Sequence, residues 1–284
     1  MGTVKPSRTA RKVALNIVAL GAKHEMEVVL PPGLVDATSE LLVASGAADR
    51  RLVRFSRSKI AVGIYLAFDW MMPGQFEAFA HRKAFCEKQV RKGIAAGARQ
   101  VLVLGAGYDT LGWRLAPEFV RVNFIEIDHP ATVRFKAKGI NAMGRRSNLH
   151  CLAADLGERS LRDVLGADAT WITNAATVIV AEGLLMYLPP EAVGTLFADC
   201  AAVTGAGSSI AFSYVGTRAN GQPDAGPWTW LVQWMLKASG EPWLWSSSAQ
   251  ALAPFLKKNH WTLAQDPAGA SNIGGVEFYG LAVK

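Results

Sequence analysis

The 284-residue sequence predicts an α/β protein built on a doubly wound, mostly parallel sheet with a helical cap before it. Three observations carry this. From about residue 99, strand-type apolar runs alternate with helical segments, the pattern of consecutive crossover units. The first run, Val101-Leu-Val-Leu104, stops abruptly at Gly105-Ala-Gly107. An acidic segment, Phe124-Ile-Glu-Ile-Asp128, follows about 20 residues later, the spacing at which a carboxylate in a nucleotide-binding sheet meets a ribose.

Residues 1 to about 97 show helical periodicity without strand alternation, punctuated by Pro31-Pro32-Gly33 and Pro73-Gly74. Helices are expected near 7–21, 35–45, 48–68 and 75–96, and Gly97 ends the last. Arg11-Lys12 followed by Val13–Leu20 has the outline of a secretory leader, but the apolar run is short and Asn16 interrupts it. Its apolar positions suit an amphipathic helix on a core. Strands then follow at Gln100–Leu104, Val122–Ile127, Leu149–Ala153, Thr177–Ala181 and Ser208–Tyr214, with helices near 109–115, 130–142, 158–165 and 190–203. Right-handed crossovers place the ends of the first, second and fourth strands around one cleft. Trp261–Gln265 and Val276–Val283 read as a closing antiparallel hairpin at the sheet edge, joined by Asp266–Gly275, which makes seven strands in all. Residues 216–247 interrupt the alternation with Trp228, Trp230, Trp234, Trp243 and Trp245. An insertion after the fifth strand overlies the cleft, so this segment is expected to be a lid of one or two helices. The domain reading is a cap over 1–97 and a sheet domain over 98–284 that carries the lid.

Composition narrows the function. Half the residues are hydrophobic and 19% are charged, which is ordinary for a globular chain. No apolar run approaches the ~20 residues of a membrane span. The longest, Ile60–Phe68, stops at Asp69. Three scattered cysteines make no metal pattern and leave an odd thiol, so a reducing, cytoplasmic setting is expected and no metal site. The net charge of +7 is concentrated early, in Lys5, Arg8, Arg11, Lys12 and Lys23 and then Arg50, Arg51, Arg54, Arg57 and Lys59. A solvated helix face, an anionic substrate, an acidic partner and anionic lipid all remain open as its meaning. Nucleic acid is disfavoured, because no aromatic residues interleave the basic ones and no recognition module is visible.

The glycine turn lacks the third glycine of the dinucleotide fingerprint, since Thr110 or Leu111 stands near its place. That disfavours a pyrophosphate on the helix N-terminus and fits a ligand without phosphate. Three blocks then make the chain recognisable: V-L-V-L-G-A-G-Y-D-T-L-G-W-R-L (101–115), F-I-E-I-D-H-P (124–130) and A-E-G-L-L-M-Y-L-P (181–189). Together they resemble the leucine carboxyl methyltransferase-like family of class I methyltransferases, which includes bacterial natural-product carboxyl and O-methyltransferases. Ser7-Arg-Thr-Ala10 resembles the family's opening, and Gly240-Glu-Pro-Trp243 extends the likeness more loosely. The resemblance implies a Rossmann-like sheet and S-adenosylmethionine as cofactor, with S-adenosylhomocysteine as product.

It also implies roles. Gly105, Ala106 and Gly107 would face the methionine part of the cofactor. The second acid of E-x-D, Asp128 rather than Glu126, would hold the ribose hydroxyls; the competing reading is an acid that caps the helix starting at Pro130. Asp155 would bond the adenine amino group and Leu156 would back the ring, against a capping role for Asp155. Glu182 would lie near the cofactor's amino acid end, where a carboxylate suits a sulfonium. Arg82 and Tyr187 would hold a substrate carboxylate, although basic Lys83 beside Arg82 leaves room for a one-residue offset.

A carboxylate acceptor needs no base, because it is ionised at neutral pH. The expected reaction is in-line methyl transfer to a hydrophobic carboxylic acid. A phenol or hydroxyl acceptor, with His81 as base, stays open, as does a protein C-terminus. More distant readings are an NADP-dependent reductase and a non-catalytic binding module. The tryptophans either pack the lid or line an apolar slot. The oligomeric state is not legible.

Overall fold

The computed structural model describes residues 7–265 and 276–284. The N-terminal layer runs α1 (Arg8–Leu20), α2 (His24–Glu27), α3 (Leu34–Ser45), α4 (Arg50–Ser56), α5 (Lys59–Ala67) and α6 (Gln75–Ala95). Helix α1 buries Leu15, Ile17, Val18 and Leu20 in the core, as an amphipathic helix should. The single helix expected over 48–68 is two. Ser58 accepts a hydrogen bond from the Ala61 amide and starts α5 afresh. Arg57, between the two, pairs with Asp36 at 2.6 Å. Among the described residues no helix is long and apolar enough to cross a membrane.

The sheet is built from β1 (Gln100–Leu104), α7 (Leu111–Leu115), β2 (Asn123–Asp128), α8 (Pro130–Met143), β3 (Leu149–Ala153), α9 (Leu161–Gly166), β4 (Thr177–Ala181), α10 (Pro190–Val203), β5 (Ser209–Val215), α11 (Thr229–Ser239), α12 (Ala249–Lys258), β6 (Thr262–Gln265) and β7 (Glu277–Val283). Strand order is β3-β2-β1-β4-β5-β7-β6, with β7 antiparallel to both neighbours. The order reverses direction between β1 and β4, which opens a crevice at their carboxyl ends. Strands β1 and β4 are buried along their whole length, as central parallel strands sandwiched by helices must be. Gly93 leaves no room for a Cβ against Val178, so α6 settles directly on β4 and carries its N-terminal half over the crevice. The hairpin connection expected at Asp266–Gly275 lies outside the described residues.

The Trp-rich segment divides three ways. Trp245 is buried and packs on Phe255. Trp243 lines the cavity described below. Trp228, Trp230 and Trp234 are exposed, so they neither pack the core nor line a slot.

Candidate active site

A cavity of 660 Å³ opens at the carboxyl ends of β1, β2 and β4, within the ~300–1,000 Å³ typical of ligand sites. Its lining includes Arg82, Gly105, Ala106, Gly107, Asp128, Asp155, Leu156, Glu182 and Tyr187, so the fold brings these nine residues to one place.

At one end the β1 loop turns sharply. Gly105 has φ +64° and Gly107 φ +47°, values that L side chains rarely adopt. A Cβ on Gly105 would also stand 2.9 Å from Leu184 Cδ1. The Gly107 amide donates to Asp128 Oδ2 at 2.6 Å, which couples the turn to the end of β2. Burial pushes the Asp128 carboxyl up from its ordinary range, against the opposing hydrogen bond from Gly107. Asp128 does not cap α8. His129 does, its Nδ1 accepting from the Ala131 amide at 3.2 Å. Glu126 faces away from the cavity and pairs with buried Lys136 at 2.8 Å. Asp155 accepts from the Gly157 amide at 2.9 Å, while α9 takes Ser160 as its cap.

At the other end lies a buried ion cluster. Arg82 and Lys83 are consecutive on α6, and both are used. Arg82 Nε donates to Glu182 Oε1 at 2.8 Å, and Arg82 Nη1 donates to both Glu277 oxygens at 2.6 and 2.7 Å. Lys83 Nζ bridges Asp109 Oδ2 and Glu182 Oε1, each at 2.9 Å. Gln75 and Ser213 complete the shell of Glu277. Burial opposes the charge on Asp109, but Lys83 and Lys136 hold its carboxyl well below the usual range. Two cations against three carboxylates leave a formal charge of −1 in a nearly dry environment.

Arg82 was expected to present its fork to a substrate. Its fork is spent on Glu182 and Glu277, and only Nη2 makes no hydrogen bond among the described residues. Tyr187, on the 3-10 turn Leu185–Tyr187, faces the cavity. Burial pushes its phenol up to about 12, against the neighbouring Trp243 indole, so it stays a donor. His81 is not among the lining residues. The segment after α11 is fastened to the start of α1: Glu241 accepts from Ser7 Oγ at 2.6 Å, from the Thr9 amide at 3.0 Å and from the Thr9 hydroxyl.

Sequence reasoning missed Asp109, Glu241 and Glu277. Glu277 left one trace, a lone acid opening the otherwise apolar run Glu277–Val283.

The donors fit S-adenosylmethionine. Glu182 Oε2 is buried and has no hydrogen-bond partner among the described residues, which leaves an acceptor for a donor such as a methionyl ammonium. The cluster's negative charge suits the same cation. Asp128 offers a carboxylate to a ribose diol, and the turn glycines leave the loop backbone open to a close ligand. Fold and site thus define the class: a class I methyltransferase fold, whose cofactor is S-adenosylmethionine.

A profile of the leucine carboxyl methyltransferase family matches residues 27–201, and the chain belongs to that family. A protein of Mycobacterium sp. (strain KMS), provisionally named an S-adenosyl-L-methionine-dependent methyltransferase, is 37% identical over 150 residues, 51% of this chain and 47% of its own. A Streptomyces avermitilis protein with the same provisional name is 34% identical over 174 residues, 58% of each chain. The chain thus spans about half the length of the curated relatives it matches. A crystal structure of a provisionally assigned methyltransferase from Thermobifida fusca superposes with TM-score 0.57 over 89% of this chain and 98% of that one. At 15% identity this likeness speaks for the fold alone.

Proposed function

We propose that the protein transfers a methyl group from S-adenosylmethionine to the carboxylate of an apolar small molecule. S-adenosylmethionine, when bound, supplies an electrophilic methyl on a positively charged sulfur. Asp128 would hold its ribose, Asp155 and Leu156 its adenine, and Glu182 its ammonium. The turn Gly105-Ala106-Gly107 would lie against its methionine part. Beyond that end the lining turns apolar, with Ile17, Leu34, Met72, Phe79, Val232 and Leu236.

The observation that carries the acceptor class is the absence of a free base among the lining residues. His129 is engaged in capping α8 beside Asp155. The carboxylates of Asp109, Glu241 and Glu277 are engaged by cations or hydroxyls. Tyr187 holds its proton, and Arg82 Nη2 is a second donor. Two donors and no base suit an acceptor that arrives already ionised. The chain's own work is then to orient that oxygen in line and keep water away from it.

The test uses S-adenosylmethionine labelled in its methyl group and a panel of aromatic and long-chain acids. The expected product is an ester that loses its label in mild base. The rate with an acid should stay flat between about pH 6 and 9, because acceptor carboxylates titrate near ~4. A base-stable product, or a rate rising about tenfold per pH unit as a phenol ionises, overturns the carboxylate reading.

A further inference from the structure

Around the mouth of the cavity the usual distribution of apolar side chains is inverted. Helix α5 buries only Ala61 and Val62, while Ile60, Ile64 and Phe68 face solvent at four-residue spacing, Ile60 at 69% exposure. On α11, Trp230 and Trp234 also stand one turn apart, each 66% exposed. The segments flanking the two helices meet: Trp70, in the turn just past α5, makes an edge-to-face contact with Trp228, just before α11, ring centroids 5.1 Å apart, which brings the end of α5 to the start of α11. Exposed apolar residues scattered singly need no explanation, but a contiguous tryptophan-bearing face does. The face also runs into the chamber, because Met235 and Leu244 are both exposed and cavity-lining.

A basic margin adjoins this face. Arg50, Arg51 and Arg54 project from α4, and Lys59 opens α5. All four are exposed, and none forms an ion pair among the described residues. Nearby Asp49 is spent on the Leu52 amide as the cap of α4.

We propose that this face docks on a bilayer carrying anionic lipid. Tryptophans and aliphatic side chains sink to headgroup depth, the arginines lie against lipid phosphates, and the cavity mouth opens toward the acyl region. The occupant follows from composition and place. Tryptophan with a basic margin is the chemistry of a membrane interface, whereas a second copy of the chain would bring the same arginines against themselves. The continuity from patch to chamber gives the docking a use: an apolar acid dissolved in the bilayer reaches the chamber without crossing water. That last step rests on the function proposed above; the docking does not.

The experiment is flotation of the purified protein with phosphatidylcholine vesicles that carry roughly a third phosphatidylglycerol, at about 0.1 M salt, where the screening length is still ~10 Å. Expected is flotation on these vesicles and much weaker flotation on phosphatidylcholine alone. The pair Arg50→Ser and Arg54→Ser should cut partitioning about 30-fold, at about fivefold per basic residue near an anionic surface. The pair Trp230→Ser and Trp234→Ser should cut it on the order of tenfold or more. Failure of the wild-type protein to float, or undiminished flotation of the tryptophan variant, overturns the proposal. So does a dimer in sedimentation equilibrium that ignores vesicles and dissociates on the tryptophan substitutions, which would make the face an interface between copies. Calorimetry with S-adenosylmethionine separates the two readings. A protein that binds cofactor but not vesicles sinks the docking alone, and one that floats but binds no cofactor sinks the methyl-transfer reading alone.

Discussion

The two ends of the cavity break the rule of apolar inside and charged outside in opposite senses. At the strand ends, Arg82, Lys83, Asp109, Glu182 and Glu277 are withdrawn from water. At the mouth, Trp230, Trp234 and Ile60 are left in it. Each withdrawn charge has a partner of opposite sign, while Glu182 Oε2 and Arg82 Nη2 make no hydrogen bond among the described residues. Trp230 and Trp234 make no ring or hydrogen-bond contact among the described residues. The first departure carries a desolvation cost and the second leaves apolar area in water, and both adjoin the same hollow. Sites of conflict between local chemistry and burial are where a fold has been shaped by something other than its own stability.

Substitutions can sharpen this contrast. The largest effect is expected at the buried end. Glu277→Ala leaves the Arg82 guanidinium with half its partners and should destabilise by about 3–5 kcal/mol in urea unfolding. A loss below about 1 kcal/mol would mean that the cluster is open to water. Asp109→Asn removes a partner of Lys83 and should cost a comparable amount near neutrality. Its effect depends on acid in a defined direction. The folded carboxyl titrates below its ordinary 3.8, so its stabilisation is present above that value and lost as pH falls further. The gap between wild type and variant should therefore shrink in unfolding curves taken below about pH 4.

Asp128→Ala should weaken S-adenosylmethionine binding by about 1.5–3 kcal/mol in calorimetry, the worth of hydrogen bonds to a charged group. Unchanged affinity would remove Asp128 from the ribose site. Gly105→Ala places a side chain at φ +64° against Leu184 and should cost about 1–2 kcal/mol of stability. The smallest effect is expected at the mouth. Trp230→Ser should leave stability within about 0.5 kcal/mol of wild type. A larger loss would show that the tryptophan packs against the chain after all, which would erase the contrast.

The sequence foretells these two ends unequally. Strands β1 and β4 lie where their apolar runs place them, because a central parallel strand needs apolar side chains on both faces. The glycine turn and Asp128 are legible because both belong to local patterns about 20 residues apart. The partners of Arg82 are not. Glu277 meets it across 195 residues through an antiparallel strand, and no local spacing encodes that pairing. An arginine beside a carboxylate-binding motif therefore reads as facing a substrate, when most of its donors face the protein. The break at Ser58 was hidden for a related reason, because a serine inside a helical pattern caps a new helix only when its neighbours turn away. The tryptophans mislead in the other direction. Apolar character predicts burial, and composition alone does not say which aromatics are left outside.

The distance from Arg82 to Glu277 also has a meaning in time. On a ribosome adding ~5–20 residues per second, the guanidinium is made roughly 10–40 s before the carboxylate that chelates it. Until then the nascent sheet lacks the strand that joins β5 to β6, and Arg82 has only one of its two carboxylate partners, Glu182. The part of the cavity wall that Glu277 supplies is thus assembled after the rest. A polypeptide halted after β5 would carry the residues assigned to the donor but lack the strand that closes the sheet, and would be open to proteolysis on that account.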